Sequence, residues 1–425
     1  MTTYRSLLAN GEFRALFASN ALAVAAGTIL SLALAASVYA ETGSPLLAAL
    51  MLLGGLLPQA IGALTLLSYA DRVPPRSFLA LWELARCGSA ALMALNVLPV
   101  WGVLLLLTGL GAVNAVSGGI RMAVLADIVP SGFVLARSLL NVSVGAMQIA
   151  GFAAGGLLIA ALGPHRALTV SAVLLGVSGL VTWLGLKARA PKAVGRPGVS
   201  ATWQGNKELF RSSRIRALLL GGWVPNGLIV GAEAMYVPFA GDAASVLFIA
   251  AALGMLTGDV CLGRWVSPAR LSALVNPLHL LLAVPYLVFF VNPNVWAGTV
   301  AVFVASIGFA ATLGLQSRLN DAVPEALRGQ AFGLDGSGRM SFQAVGAFTI
   351  GSLAEVSGVP WAMTGAALAS IAVTLLLWRA LRTEPALPQG ISPQRTQEVD
   401  PAELGPVAVV EVELGVGALP QKKAR

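Results

Sequence analysis

Asp335 and Arg339 stand four residues apart in LDGSGRMSFQ, residues 334–343, in the middle of an apolar run. An ionisable group at the centre of a membrane helix costs about 2.5–3.5 kcal/mol, so such a residue normally faces a partner or water. With the acid first, the spacing suits an ion pair along one helix. Gly333, Gly336 and Gly338 leave backbone carbonyls or water close enough to share the charge. The pair is expected either to hold helices together or to couple a charge to movement. Glu233, in GAEAMYVPFA, poses a sharper case. An acid in a partly dry cavity can exchange a proton for a cation, the step by which a proton gradient is coupled to the passage of a solute. Trp223, Asn226 and Tyr236 are the neighbours expected beside it on its own helix, and Asn20, Asn114 and Gln316 are further polar residues inside apolar segments, where such residues commonly make helix–helix hydrogen bonds. Glu83 and Arg86, three apart, are expected to pair for structural reasons. Asp259 lies within snorkelling reach of an interface, and His279 is expected to be neutral and hydrogen-bonded.

The elements that must position these residues are apolar helices. Of the 425 residues 57% are hydrophobic and 11% charged, which does not describe a soluble surface. Long apolar segments recur near the roughly 20 residues a helix needs to cross a bilayer. They lie at 15–39, 45–69, 77–98, 100–124, 136–162, 165–187, 215–238, 244–263, 270–291, 295–319, 328–354 and 359–381. Twelve such segments predict an all-α membrane protein of twelve transmembrane helices. Lys and Arg resist translocation. With a cytoplasmic N-terminus, all but three of the 27 Lys and Arg fall on the cytoplasmic side, the exceptions being Arg86 and Arg339 within spans and Arg166 outside. Both termini are therefore expected in the cytoplasm, and the formal charge of +8 reflects topology rather than nucleic-acid binding. Arg outnumbers Lys 22 to 5, as a GC-rich bacterial genome would produce, which places the chain in a bacterial cell membrane. Cys87 and Cys261 both fall within spans, so neither a disulfide framework nor a metal cluster is indicated. There is no HExxH and no Gly-rich Lys loop, so an enzyme or ATPase reading has no support and no cofactor is expected.

Residues 188–214 are basic and rich in Gly, Pro and Ser, and they divide the spans into two sets of six. The expected organisation is an N-terminal six-helix bundle over 1–187, a cytoplasmic linker over 188–214, a C-terminal six-helix bundle over 215–382 and a disordered cytoplasmic tail over 383–425. The halves repeat each other in order. FRAL at Phe13–Leu16 returns as IRAL at Ile215–Leu218, Trp101 as Trp296, DIVP at Asp127–Pro130 as DAVP at Asp321–Pro324, and Pro164 as Pro360. Collinear matches at a nearly fixed offset are what an internal duplication leaves. Two duplicated six-helix bundles joined by a basic loop form a plan in which the bundles rock about a central site.

After the second span comes SYADRVPPRSFL, with Asp71, Arg72 and Arg76 in a tight Pro-containing turn. Ala70, Asp71, Arg72 and Arg76 match the signature loop of the major facilitator superfamily, while Leu67 and Pro74 stand where that pattern has Gly. GFAAGG at 151–156 resembles the superfamily's exporter-associated pattern, with Phe152 in place of Pro, and GAFTIG at 346–351 repeats it. Small residues at these positions also serve close helix packing. IRMAVLADIVPSGFVLARSLLN and VPEALRGQAFGL further resemble the twelve-span drug and siderophore exporter branch. The resemblance spans residues 10–382. It implies two pseudo-symmetric bundles with spans two, five, eight and eleven at the moving interface and spans one, four, seven and ten around the cavity. It also implies a cytoplasmic inner gate of Asp71, Arg72, Arg76 and Asp127. Glu233, Asp335 and Arg339 are then the expected coupling residues of a monomeric, proton-coupled exporter of small amphipathic molecules, with Asn20, Asn114, Asn226, Tyr236 and Gln316 around the substrate. The competing expectations are a metabolite importer or facilitator and a non-transporting membrane sensor.

Overall fold

The computed structural model describes residues 4–65, 73–129, 133–190, 206–323 and 328–382, and over these it is helical throughout. The first half holds α1 (Tyr4–Ala9), α2 (Gly11–Thr42), α3 (Pro45–Leu53), α4 (Leu56–Thr65), α5 (Pro75–Ala94), α6 (Val100–Ile128), α7 (Phe133–Leu162) and α8 (Pro164–Gly185). The second holds α9 (Ser213–Glu233), α10 (Tyr236–Ala240), α11 (Ala244–Trp265), α12 (Pro268–Ala273), α13 (Val275–Ala283), α14 (Val295–Ile307), α15 (Ala311–Ala322), α16 (Arg328–Ser357) and α17 (Val359–Arg382). Eight stretches of the described residues are long and apolar enough to cross a membrane, one of them running from Ser213 to Gly263 through both α9 and α11. The chain is a multi-pass membrane protein. Of the expected spans, those around α5 and α16 fall outside this set, and both carry the ionisable residues singled out above. The ninth is short because its helix gives way after Ala283 to a 3-10 segment, Val284–Val291.

Local chemistry sets the helix ends. The Asn10 side chain accepts from the amides of Glu12 and Phe13 and so caps α2. Gly43, at φ 64°, ends the same helix in the left-handed region that a side chain would resist. The Ser44 hydroxyl accepts from the Leu47 amide at the start of α3, and Ser212 caps α9 in the same way through Ile215. Pro225 lies inside α9, where it supplies no amide hydrogen to the preceding turn.

The two halves are packed alike. In the first, α2 lies along α7 and α8; in the second, its counterpart α9 lies along α16 and α17. Between the halves, α3 and α4 pack on α16, and α7 packs on α11, which are the interfaces expected of spans two, eleven, five and eight. One hydrophobic core runs across both halves, from Ile29 and Leu32 of α2 to Tyr236, Leu247 and Phe248. Toward the opposite end of the helices the core divides. One cluster around Phe13, Ile120 and Leu125 belongs to the first half, and another around Ile215, Trp223 and Leu319 belongs to the second. Cross-half hydrogen bonds follow the same asymmetry. Among the described residues they are the Tyr39 hydroxyl to the Pro238 carbonyl at 3.4 Å, the Ser44 hydroxyl to Glu355, and the Leu46 amide to Glu355 at 3.2 Å, all at the end with the continuous core.

Candidate functional site

A cavity of about 790 Å³ lies between the halves, within the range of small-molecule sites. Its closed end is marked by Phe152 of α7 and Phe248 of α11, whose rings stack at 4.5 Å and 7° across the interface. α2, α3, α4, α6, α7, α9 and α11 all contribute to its wall, together with Arg86 of α5, Phe309 and Gln343 of α16.

Two amide pairs are placed on that wall by glycine contacts. In the first half, a Cβ on Gly111 would overlap the Gly55 carbonyl and one on Gly62 the Ala112 carbonyl, so α4 and α6 run in backbone contact. That approach brings the Asn114 Nδ2 within 3.1 Å of Gln59 Oε1. In the second half, Gly227 faces the Phe342 carbonyl and Gly346 the Gly227 carbonyl with equally little room. There Gln343 Nε2 donates to Asn226 Oδ1 at 2.8 Å. Each pair satisfies part of its own hydrogen-bonding capacity and leaves the rest toward the cavity.

The charged groups are distributed unequally. Glu233, the last residue of α9, lines the cavity, and its Oε1 is sealed from solvent without a hydrogen-bond partner. Among the described residues no cation lies within ion-pair distance of it. On the first-half side, Glu83 is fully buried and pairs with two guanidiniums: Arg86 Nη1 at 3.0 Å, and Arg121 Nη2. Arg121 Nη1 also donates to Asn20 Oδ1 at 2.6 Å. Arg121 lines the cavity as well, and no local pattern in the sequence singles it out. It was counted with the cytoplasmic charges, yet it lies in α6 seven residues before Ile128, roughly 10 Å from the helix end at 1.5 Å per residue.

Of the residues expected around the substrate, Glu233, Asn20, Asn114 and Asn226 come together on the cavity wall, joined by Gln59, Arg86, Arg121 and Gln343. Tyr236 does not join them. It is fully buried, with its hydroxyl bonded to that of Tyr286 and its ring edge-on to Phe248. Asp335, Arg339 and Gln316 lie elsewhere, around a void of about 10 Å³ inside the second half that Leu218, Gly222 and Thr312 also line. Asp335 and Arg339 form an ion pair along α16, and Trp223 Nε1, expected beside Glu233, instead donates to the Asp335 carbonyl at 3.1 Å and to its Oδ1 at 3.2 Å.

Of the expected inner gate, Asp71 and Arg72 lie outside the described residues. Arg76 stands with its guanidinium 4.2 Å over the Trp183 ring of α8. Asp127, near the end of α6, is exposed and lies within electrostatic reach of Arg189. The Arg189 guanidinium is raised above its ordinary range by its bond to Glu12, with Asp127 adding to the effect. Asp259 is exposed on α11, and His279 is buried in α13 with Nδ1 unpartnered.

No family model matches the chain, and no curated protein matches it. Solved structures do. A POT family transporter in complex with a thioalcohol-conjugated peptide superposes with a TM-score of 0.68 at 12% identity, over 87% of this chain and 96% of that one. The nucleoside transporter NupG gives 0.63 at 14% identity, over 88% of this chain and 100% of that one. The human organic anion transporter MFSD10 gives 0.58 at 19% identity, over 86% of this chain and 98% of that one. At these identities the likeness is one of fold, and the chain has the fold of these membrane transporters.

Proposed function

We propose that this chain is a secondary active transporter of twelve spans in two six-helix bundles, exporting small amphipathic molecules in exchange for protons by alternating access. The observation that carries the reading is an unpartnered carboxyl, Glu233, on the wall of a cavity that cross-half contacts close at one end. A carboxyl without a cation beside it can take up a proton when the cavity faces one side and release it when the cavity faces the other, so its protonation can be coupled to the movement of the halves. The distribution of basic residues supports a cytoplasmic N-terminus. The closed end then faces outward, and the cavity faces the compartment from which an exporter loads. In this reading the protein works as a monomer in a bacterial cytoplasmic membrane, with both termini inside, and needs the proton gradient rather than a cofactor. Asp71, Arg72, Arg76 and Asp127 would form the gate that closes in the opposite state, and Asp335 with Arg339 would couple charge to bundle movement.

The test is solute movement in proteoliposomes with and without a pH gradient. A gradient should drive accumulation of an exported dye, and Glu233→Gln should remove that dependence while leaving gradient-free exchange. Equal accumulation with and without the gradient would sink the antiport reading. The polar wall, with two amide pairs and two guanidiniums, favours as the second reading a facilitator or importer of a polar metabolite.

A further inference from the structure

We propose that Arg86 and Arg121 form an anion subsite in the central cavity, and that the cargo carries a carboxylate which this subsite binds. The proposal rests on the transporter reading and names the charge of what is carried.

Two guanidiniums share one acid, Glu83, so the cluster carries a surplus of one positive charge. A surplus charge in the membrane interior is unfavourable unless something balances it. A purely structural pair needs only one of the two arginines, because Glu83 with either alone is neutral. Among the described residues Glu83 is the acid within ion-pair distance of the two, and Glu233 is not. The counter-charge is therefore to be sought in what enters the cavity.

The geometry points the same way. Both guanidiniums line the cavity, whereas Glu83 does not: the acid stands behind and the cations in front. Each guanidinium has five N–H donors in a planar fork. Arg86 spends bonds on Glu83 and, at 3.4 Å, on the Ala23 carbonyl; Arg121 spends them on Glu83 and Asn20. Several donors of each stay unassigned, and a fork of this shape matches a carboxylate with two parallel bonds. Space has been left for one. Gly27 lines the cavity where a Cβ would stand 3.1 Å from Arg86 Nη2, and Gly118, one turn before Arg121, faces open space. Leu52, Leu53 and Leu56, which also line the cavity, offer an apolar surface to the rest of such a molecule.

The experiment measures binding to the purified full-length protein of three probes with one aromatic body: 1-naphthylacetate, 1-naphthylacetamide and 1-naphthylmethylamine. The carboxylate should bind about ten-fold or more tightly than the amide, and the amine should bind most weakly, as expected for charge-assisted bonds. Arg121→Gln should bring carboxylate and amide to within about two-fold of each other. Should that variant fail to fold, Arg86→Gln reads the same preference, because Arg121 keeps Glu83 paired. Equal binding of the three, preference for the amine, absence of binding by all three, or a preference that survives both substitutions would overturn the subsite. Transport separates this outcome from the fate of the parent reading. A carboxylate preference that depends on the arginines, without gradient-driven movement in proteoliposomes, removes the antiporter and leaves the subsite. Gradient-driven movement without charge preference does the reverse.

Discussion

Glu83 and Asp335 are both acids inside apolar helices, both paired with arginine, yet they face different consequences when lost. Glu83 is fully buried and neutralises two guanidiniums, so Glu83→Ala leaves Arg86 and Arg121 facing each other without an acid. Removing one partner of a buried ion pair costs about 3–5 kcal/mol. Asp335 has one cationic partner, itself partly exposed, and the Trp223 indole keeps the residue-335 backbone carbonyl as an acceptor if the carboxylate becomes an amide. Asp335→Asn is therefore expected to cost only about 1–2 kcal/mol, the loss of one charge-assisted bond. Thermal unfolding of the purified variants should show a large fall for Glu83→Ala and a small one for Asp335→Asn; the opposite order would mean that the second-half pair holds the bundle. If Asp335→Asn folds and fails to transport, its part is in coupling. The four-residue spacing made the Asp335–Arg339 pair legible in the sequence, and the three-residue spacing did the same for Glu83–Arg86. Arg121 was not legible, because an arginine near the cytoplasmic end of a span looks the same whether it points to water or turns back to an acid on a neighbouring helix. That distinction depends on Glu83, 38 positions earlier in the chain, and no local pattern encodes it.

At the scale of elements, glycine decides which helices touch. GFAAGG and GAFTIG were readable as small-residue packing faces, but not what they pack on, because a missing side chain records closeness and not the identity of the neighbour. The structure divides the roles. Gly151 faces Thr28 of α2, and Gly155 faces Ile29 and Leu32, all within the first half, whereas Gly156 faces Ser245 of α11 in the other half. Gly346 faces the backbone of Gly227 within the second half. A side chain at each should therefore act differently. Gly346→Ala would press Cβ onto a carbonyl oxygen that cannot swing aside, separating α9 from α16 and losing the Asn226–Gln343 bond; the expected result is poor folding and a lowered unfolding temperature. Gly156→Val would push α7 from α11 where the halves meet, so the expected result is a folded protein whose closed end has opened. Labelling of a cysteine placed at Ser245 from the side of the closed end checks this. Labelling that stays at the level of the Gly156 parent would show that the contact does not hold the halves together.

For the whole molecule, duplication was the most legible feature, because collinear matches survive where individual contacts do not, and the packing of α2 on α7 and α8 against that of α9 on α16 and α17 repeats it in space. The asymmetry between the ends was not legible. In the proposed cycle a single sequence supports both the state with one end closed and the state with the other closed, and so carries no preference that can be read. The structure shows a continuous core and the Ser44–Glu355 and Leu46–Glu355 bonds at one end, and divided cores at the other. If the halves must part at the closed end in each cycle, a covalent link there should stop transport without touching the cavity. Ala49 of α3 and Gly351 of α16 suit it. A Cβ at Gly351 would lie 3.4 Å from the Ala49 Cβ and 2.9 Å from the Leu46 Cα, so the small shift that relieves the second contact carries the first toward the ordinary disulfide separation of about 3.8 Å. In a protein with Cys87 and Cys261 replaced, Ala49→Cys with Gly351→Cys should transport when reduced and stop when oxidised, while the oxidised form still binds cargo from the open side. Full transport in the oxidised state would mean that α3 and α16 move as one body, and that the opening at this end lies elsewhere, between α7 and α11.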